Sequence, residues 1–181
     1  GCLHFSKFSI EKWRKLPKKV KKIPIKSLNF IKYQDLCELL DLVSLSKLET
    51  LSYLEFTKRK IEVIPQSHLP SLRTLVVSEI FPNLYKFTQL RTLKVFMETE
   101  EHMNRVIQIL NSIPLYSLEL SLQSYKSSEL FPLVEALRSH QSLKYLSLEV
   151  GKDIPGLEDL LSLKICTCVY NFDRRFACHH L

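Results

Sequence analysis

The stretch Leu143-Lys-Tyr-Leu-Ser-Leu-Glu-Val150 follows the pattern L-x-x-L-x-L. Leu146, Leu148 and Val150 are two residues apart, so in an extended strand their side chains lie on one face. Similar stretches recur, and their first positions are residues 5, 25, 48, 72, 90, 115, 143 and 160. The steps between them are 17 to 28 residues long. The chain is therefore built from an internal repeat, and each repeat is predicted to contain one strand.

A repeat of about 20–29 residues with this core is typical of leucine-rich repeats, and the chain resembles that superfamily over nearly its whole length. The uneven steps resemble the irregular intracellular type, which is ribonuclease-inhibitor-like or F-box-associated. This resemblance implies an α/β fold: a solenoid with a curved parallel sheet on its concave side and helices and irregular returns on its convex side. We expect a single domain over residues 1–181, of seven to eight irregular repeats, as part of a longer chain.

The chain departs from the superfamily at the turn after each strand. An Asn or Cys usually stands eight residues after the first leucine, where it bonds the turn backbone. Here those places hold Tyr33, Phe56, Ile80, Glu98, Gln123 and Gly151. The sequence therefore predicts no ladder of buried asparagines.

The connections between the strands carry the helical pattern. Apolar residues at helical spacing predict helices over 10–16, 34–43, 99–110 and 127–137. In the third, Thr99 is the expected cap, and the apolar face comprises Met103, Val106, Ile107 and Leu110. Ser127 or Ser128 is the expected cap of the fourth. The short step around Pro82 predicts a turn or a 3₁₀ segment, and the first two strands are predicted at 5–10 and 27–31.

The composition is that of a soluble globular protein, with 45% hydrophobic and 25% charged residues in a chain of 181. No apolar run approaches the roughly 18 residues that cross a bilayer, so no membrane partner is expected. The chain has five cysteines, an odd number that does not suit a framework of paired disulfides, and no Asn-x-Ser/Thr sequon occurs. Both observations favour an intracellular protein, cytoplasmic or nuclear.

The sequence contains no recognised catalytic motif: no glycine-rich phosphate loop, no G-x-S-x-G and no H-E-x-x-H. His102 and His140 lie near helix ends and are expected to be surface groups. We therefore predict that the protein is not an enzyme and has no catalytic residue, no cofactor and no small-molecule substrate. In the tail, the spacing of Cys166-x-Cys168 and Cys178-His179-His180 does not match a zinc motif, and no metal site is predicted from it.

Residues between the inward leucines are expected to form three rows on the concave face. The rows are Ser27, Thr50, Thr74, Thr92, Ser117, Tyr145, Ser162; Asn29, Ser52, Val76, Lys94, Glu119, Ser147, Lys164; and Ile31, Leu54, Ser78, Phe96, Ser121, Glu149, Cys166. The large apolar members predict an exposed patch for a protein partner, with a charged rim. The predicted partner-binding residues are Ile31, Leu54, Val76, Lys94, Phe96, Glu119, Tyr145 and Glu149.

A second hypothesis rests on the distribution of charge. The net charge is +7, yet residues 1–26 alone carry +8 and the remainder −1. The basic segment 12–26 includes Lys18, Lys19, Lys21 and Lys22, a run that resembles a nuclear-import signal and suits an anionic surface or a nucleic acid. The sequence thus favours a non-enzymatic protein-binding module, with a substrate-recognition or scaffold role implied by the resemblance. A nucleic-acid or anionic-surface adaptor is the alternative.

Overall fold

The computed structural model describes residues 1–29, 31–54, 63–97, 99–122, 130–150, 166–171 and 178–179. At Tyr33, Tyr53, Leu54, Val150 and in the last two segments it describes the backbone alone. Parallel strands alternate with helices and short turns, which confirms an α/β fold. The chain divides into two compact units, residues 1–90 and 91–181.

The first unit contains four strands, three helices and two 3₁₀ turns among the described residues. In chain order they are β1 (Leu3–Phe5), α1 (Ile10–Lys15), α2 (Lys18–Lys21), β2 (Ile25–Asn29), α3 (Tyr33–Leu42), β3 (Thr50–Leu54), a 3₁₀ turn (Gln66–His68), β4 (Thr74–Val77) and a 3₁₀ turn (Leu84–Lys86). Within this unit each strand pairs in parallel with the next along the chain. A connection that returns to the start of each new strand is what parallel neighbours require.

The second unit has five strands and two helices among its described residues. They are β5 (Thr92–Phe96), α4 (Glu100–Leu110), β6 (Ser117–Ser121), α5 (Phe131–Ser139), β7 (Tyr145–Val150), β8 (Cys166–Asn171) and β9 (Cys178–His179). Strands β5 to β8 pair in parallel in sequence order. The last pair, β8 with β9, is antiparallel, which the repeat pattern did not predict.

The recurring leucines form the core of each unit. Leu28, Leu51 and Leu75 occupy matching register positions of β2, β3 and β4 and are 0% exposed. Leu118 and Leu146 are aligned in the same way in the second unit and are 0% and 1% exposed. Each strand therefore buries one face, and the opposite face, called here the open face, carries the residues between the leucines.

The helices bury most of the apolar residues that their spacing predicted. In α3, Leu36 and Leu39 are fully buried, while Leu40 and the C-cap Val43 are only half-buried. In α4, Met103, Val106 and Leu110 are buried as predicted, but Ile109 is 1% exposed and Ile107 is only half-buried. The two isoleucines flank the stripe on opposite sides, so α4 is rotated about its axis towards Ile109.

Two predicted helix ends are tested by the structure. Thr99 caps α4 as expected, because its Oγ1 accepts a 3.3 Å hydrogen bond from the backbone N–H of His102. Helix α5 begins only at Phe131, with Pro132 in its first turn, where proline needs no hydrogen-bond partner. The expected caps Ser127 and Ser128 lie outside the described residues. The 3₁₀ turn at Leu84–Lys86 confirms the short connection predicted near Pro82.

Three predicted strand positions are wrong. β1 ends at Phe5, and the predicted continuation to residue 10 instead enters α1, where Ile10 is buried. β2 covers Ile25–Asn29 rather than 27–31, because pairing with β1 already begins at the carbonyl oxygen of Pro24, 2.8 Å from Leu3 N. The last repeat is displaced: Cys166 is the register partner of Tyr145, the place given to Ser162.

An aromatic cluster fixes α1 to the first unit. The rings of Phe5 and Phe8 meet edge to face at 5.4 Å, and Trp13 of α1 lies 6.0 Å from Phe5 and 6.2 Å from Phe8. Trp13 is 2% exposed. A buried tryptophan contributes a large apolar contact area, which helps to hold so short a helix in place. In the described part of the chain, no helix combines the length and the apolar character needed to cross a membrane.

Candidate functional site

The open face of the second unit follows three register rows. Thr92, Ser117 and Tyr145 pair across β5, β6 and β7, as do Lys94, Glu119 and Ser147, and Phe96, Ser121 and Glu149. The rows are confirmed over these three strands, but β8 continues them with Cys166, Cys168 and Tyr170 instead of the predicted Ser162, Lys164 and Cys166. The parallel register places chemically different groups side by side at fixed strand spacing.

Lys94 occupies the middle of this open face. Its ammonium pairs with the carboxylate of Glu119 on the neighbouring strand, and its Nζ lies 5.7 Å from the centroid of the Phe96 ring. The Lys94 side chain is 29% exposed and that of Glu119 41%, so water screens the pair only in part. The pair neutralises the centre of the face, and the half-buried Phe96 ring is held against it through a cation–π contact.

Two exposed tyrosines meet at the start of β6 and β7, beside the first row of this open face. The rings of Tyr116 and Tyr145 meet at 5.1 Å with an interplanar angle of 63°, and the residues are 48% and 49% exposed. The backbone N–H of Tyr145 donates to the carbonyl oxygen of Tyr116 at 3.1 Å. Tyr116, directly before β6, and Tyr145, the first residue of β7, are thus tied through their backbones, and each residue keeps about half of its surface in water.

Tyr116 is a residue that the row pattern missed. It stands one position before Ser117, outside the alternation that defines the rows. The sequence does contain a signal for this contact. Tyr116 directly precedes β6, and the neighbouring strand β7 carries a second aromatic residue, Tyr145, in the first row. That juxtaposition depends on the register of β6 and β7, which the repeat spacing does not specify.

The first register row on the open face of the first unit consists of hydroxyl side chains. Ser27, Thr50 and Thr74 pair across β2, β3 and β4, which confirms the predicted hydroxyl row there. Ser52 is only 9% exposed, and Val76 beside it is half-buried. Small hydroxyl side chains on adjacent strands suit a sheet face and need no ligand to explain them.

The apolar patch predicted for this unit is wrong in its composition. Ile31 is 0% exposed and lies beyond the end of β2, so it belongs to the core rather than to a surface. A register shift between Ser52 and Leu54 pairs Leu54 with Val77 instead of Ser78. The side chain of Leu54 lies outside the described residues. Of the predicted apolar members, Val76 and Phe96 remain half-buried, in separate units.

The basic segment is a folded surface of the first unit. Arg14 is paired with Glu38, and Lys26 with Glu49 at 3.3 Å. Lys21 donates a 2.7 Å hydrogen bond to the carbonyl oxygen of Arg14, which ties α2 to α1. The lysines of α2 therefore lie on a short helix whose orientation relative to α1 is fixed.

The remaining lysines of this segment concentrate positive charge. Lys12, Lys15, Lys18, Lys19 and Lys22 are exposed. None of their side chains has a hydrogen bond or an ion pair with any residue that the structure describes. Five ammonium groups without an acidic partner among the described residues, on α1, on α2 and at the residue after α2, produce a strongly positive local potential.

The predicted surface histidine His140 is instead a bridge between two connections. Its Nε2 lies 3.0 Å from the carbonyl oxygen of Ile113, and its Nδ1 accepts a 3.1 Å hydrogen bond from the backbone N–H of Leu143. Both ring nitrogens are thus engaged in holding backbone, with the proton on Nε2. Sequence reasoning could not find this role, because the partners lie in two separate turns.

No catalytic or metal-binding arrangement is found among the side chains that the structure describes. No group of three or more His, Cys, Asp or Glu side chains there could hold a metal ion. A cavity of about 360 Å³ at the end of α3 is lined by residues 40–45, Ser67 and His68, away from the open face. Asp41, His68, Ser44 and Ser67 are among the lining residues, but no hydrogen bond joins these described side chains to one another, so the cavity holds no assembled catalytic group.

Comparison of the chain with protein-family models, with curated proteins and with solved structures found no match.

Proposed function

We propose that this protein is a non-enzymatic interaction module, an irregular leucine-rich-repeat solenoid that binds a protein partner through its open strand face. Support for the solenoid comes from parallel strands in sequence order within each unit and from the buried leucines at matching register. Units that bury their leucines only against neighbouring repeats are what such an architecture requires. The open face then corresponds to the concave side.

The observation that carries this proposal is the exposed pair of Tyr116 and Tyr145. Tyrosine is enriched at protein interfaces, because its ring offers a large contact area at a small entropic cost and its hydroxyl can bond to the partner. The two rings already contact each other in the unbound protein. The loss of side-chain entropy on binding is therefore expected to be small.

The neighbouring charges would orient the partner. Lys94 and Glu119 neutralise each other's charge, so they add little to the affinity for a partner. Complementary charges on the partner would instead fix its orientation on the face. Phe96 lies beside this pair and offers an apolar edge. Ser147 and the half-buried Glu149 complete a polar rim around the aromatic centre.

Affinity capture from a native lysate, followed by calorimetry with the purified partner, tests the proposal. Tyr145→Ala and Phe96→Ala are each expected to weaken binding by about 1–3 kcal/mol while leaving the fold intact, as modest hot spots do. The matched control is Phe131→Ala, because Phe131 is 67% exposed but lies on α5 and not on the open face. Unchanged affinity for both open-face variants, or loss with the control alone, would exclude this face.

A second candidate function is supported by the basic segment. The uncompensated lysines of α1 and α2 favour a polyanionic surface rich in phosphate, such as duplex nucleic acid or an anionic membrane. Trp13 is buried, so the segment presents no aromatic ring for stacking on single-stranded bases. Affinity for such a surface would come from charge alone.

Salt dependence distinguishes the two candidate functions. Binding through the lysines is expected to weaken at least tenfold between about 50 and 200 mM salt, because each neutralised phosphate releases counterions. The double variant Lys18→Gln/Lys19→Gln should reduce both the affinity and the salt slope, whereas Lys32→Gln/Lys47→Gln, at exposed sites elsewhere, should not. A short DNA duplex and phosphatidylserine vesicles serve as separate probes. Salt-insensitive binding of the native partner favours the open face.

The wider role follows from the resemblance to irregular intracellular repeat proteins. We place the protein inside the cell, as a substrate-recognition or scaffold component that recruits its partner to a larger assembly. Cys2 and Cys37 are not joined in disulfides, which agrees with a reducing compartment. A fluorescent fusion expressed in cells and a thiol-trapping assay would measure location and redox state.

A further inference from the structure

The positions directly before β5, β6 and β7 form a row of their own, called here the entry row. It comprises Arg91, Tyr116 and Lys144. The backbone N–H of Tyr116 donates to the carbonyl oxygen of Arg91 at 2.8 Å, and that of Lys144 donates to the carbonyl oxygen of Tyr116 at 2.9 Å. These bonds continue the parallel pairing of the strands, so the three residues lie side by side where the open face begins.

Two of the three entry-row residues are cationic. Arg91 and Lys144 are both exposed. Nη1 of Arg91 lies 3.5 Å from the carbonyl oxygen of Pro114, so the guanidinium lies beside the connection that leads into Tyr116. Lys144 directly precedes Tyr145, whose ring meets the ring of Tyr116 at 5.1 Å. The tyrosine pair therefore has a cationic residue on either side.

The acidic residues of the open face do not offset this charge. Among the described residues, the entry row and the first row beside it contain no carboxylate. Glu119 lies one row further along β6 and pairs with Lys94. Glu149 is four residues beyond Tyr145, which is about 13 Å along an extended strand. The surroundings of the tyrosines thus carry net positive charge, which attracts anionic groups.

We propose that the partner presents an acidic peptide segment to the entry row, with an apolar residue on the two tyrosine rings and a carboxylate on either side of it. This inference rests on the proposed function, because it names the chemistry of the partner that binds the same aromatic surface. Arg91 would bind one carboxylate through its planar guanidinium, and Lys144 the other as a point charge. Ion pairs at an exposed rim select the partner and speed its association more than they raise its affinity.

The spacing of the entry row determines the spacing of the acids. Neighbouring strands are about 4.8 Å apart, so the backbones of Arg91 and Lys144, two strands apart, are separated by about 10 Å. An extended peptide that lies across the strands covers this distance in about three residues. The matching segment therefore carries two acidic residues three positions apart, with an apolar residue between them.

Single-stranded nucleic acid is another ligand that aromatic and cationic residues bind together. The rings of Tyr116 and Tyr145 meet edge to face at an angle of 63°, so they do not offer parallel faces to two successive bases. Two cations also match a peptide with two carboxylates better than a strand that carries one phosphate per nucleotide. The geometry thus favours the peptide, and a nucleic-acid ligand is an outcome that contradicts the inference.

Selection of peptides on the full chain tests the inference. A displayed library of random peptides is selected on the natural chain, and the enriched peptides are synthesised and titrated by fluorescence anisotropy. We expect enrichment of two acidic residues that flank an apolar one. Lys144→Gln and Arg91→Gln should each weaken binding about two- to fivefold, as exposed ion pairs do. Tyr145→Ala should weaken it at least about fivefold.

Two further variants separate specific charge pairing from general attraction to a basic protein. Lys32→Gln/Lys47→Gln, at exposed sites elsewhere, should leave the affinity unchanged while removing the same number of charges. Lys144→Glu should lose the acidic peptide, and binding should return when the peptide acid that faces it is replaced by lysine. Circular dichroism of each variant verifies that the fold is retained.

The outcomes distinguish failure of this inference from failure of the proposed function. Peptides that depend on Tyr145 but are not acidic, or that bind Lys144→Gln as well as the natural chain, would overturn the inference and leave the proposed function in place. Absence of enrichment, or peptides indifferent to Tyr145→Ala, would overturn both. Losses as large with Lys18→Gln/Lys19→Gln would place the peptide on the basic segment instead. Tighter, Tyr145-dependent binding of an oligothymidylate would identify the surface as a nucleic-acid site.

Discussion

The side-chain amide of Asn83 holds the backbone of Ile64, nineteen residues earlier, through a hydrogen bond of 2.6 Å from Nδ2 to the carbonyl oxygen. Asn83 is 7% exposed and directly precedes the 3₁₀ turn at Leu84–Lys86. Its Oδ1 is buried and has no hydrogen-bond partner among the described residues. A buried asparagine thus bonds a turn backbone here, although the expected asparagine position eight residues after the leucine is occupied by Ile80.

Removing that amide is expected to destabilise the protein. Asn83→Ala leaves the Ile64 carbonyl buried without its donor, which costs about 1–3 kcal/mol. Asn83→Asp should cost more, because a carboxylate oxygen would then face the carbonyl oxygen. Urea unfolding followed by circular dichroism gives the free energies. Asn104→Ala, at an exposed position of α4, is the control and should change stability by less than about 0.5 kcal/mol.

Truncating an inward leucine should create a cavity. Leu118 is 0% exposed, so Leu118→Ala is expected to cost about 2–5 kcal/mol of unfolding free energy. Leu42 at the end of α3 is 53% exposed, and Leu42→Ala removes the same atoms from a position that already faces water. Similar losses for the two variants in thermal or urea unfolding would contradict the assignment of Leu118 to the core.

The cap of α4 should contribute a smaller amount. Thr99→Ala removes the hydroxyl that accepts from the His102 N–H, and a loss of about 0.5–2 kcal/mol is expected. Thr99→Ser retains the hydroxyl and should restore most of that stability. The comparison is made by urea unfolding of the three chains. If alanine and serine have the same effect, the methyl group of Thr99 rather than the cap is responsible.

His140 should act as a structural bridge and not as a surface group. His140→Ala removes the contacts to Ile113 and Leu143, each worth about 0.5–1.5 kcal/mol, so a total loss of about 1–3 kcal/mol is expected. The control is His68→Ala, at an exposed residue of the Gln66–His68 turn. Hydrogen exchange should additionally show faster exchange of the Leu143 amide in His140→Ala. If His140→Ala and His68→Ala have the same free energy of unfolding, His140 does not act as a structural bridge.

The strand core and the helices were predictable because their signals are local. The leucine spacing places Leu118 and Leu146 on one face of their strands whatever the neighbouring repeat does, and the structure buries both. The periodicity of α4 and the position of Thr99 likewise depend on a few consecutive residues. The rotation of α4 towards Ile109 was not predictable, because both isoleucines fit beside the stripe and only packing chooses between them.

The candidate site was predictable only in part. The alternation correctly placed Lys94, Glu119 and Tyr145 on the open face of the second unit. It placed Ile31 there too, but the strand ends earlier and the residue is buried. The last residue of a strand depends on where its hydrogen bonding to the neighbouring strand stops. The sequence pattern within one repeat does not indicate that position.

The amino-acid sequence by itself determined which residues of this protein are apolar at strand or helix spacing, and hence the α/β architecture, the buried leucines and the concentration of charge in residues 12–26. These follow from interactions between residues close together in the chain. Only the tertiary structure decided which residues from different repeats meet. The contact of Tyr116 with Tyr145, the bond from Asn83 to Ile64 and the pairing of Cys168 with Cys178 all depend on register between distant segments. Register is set by the whole packed sheet, because shifting one strand by a single residue would turn its leucines away from the core.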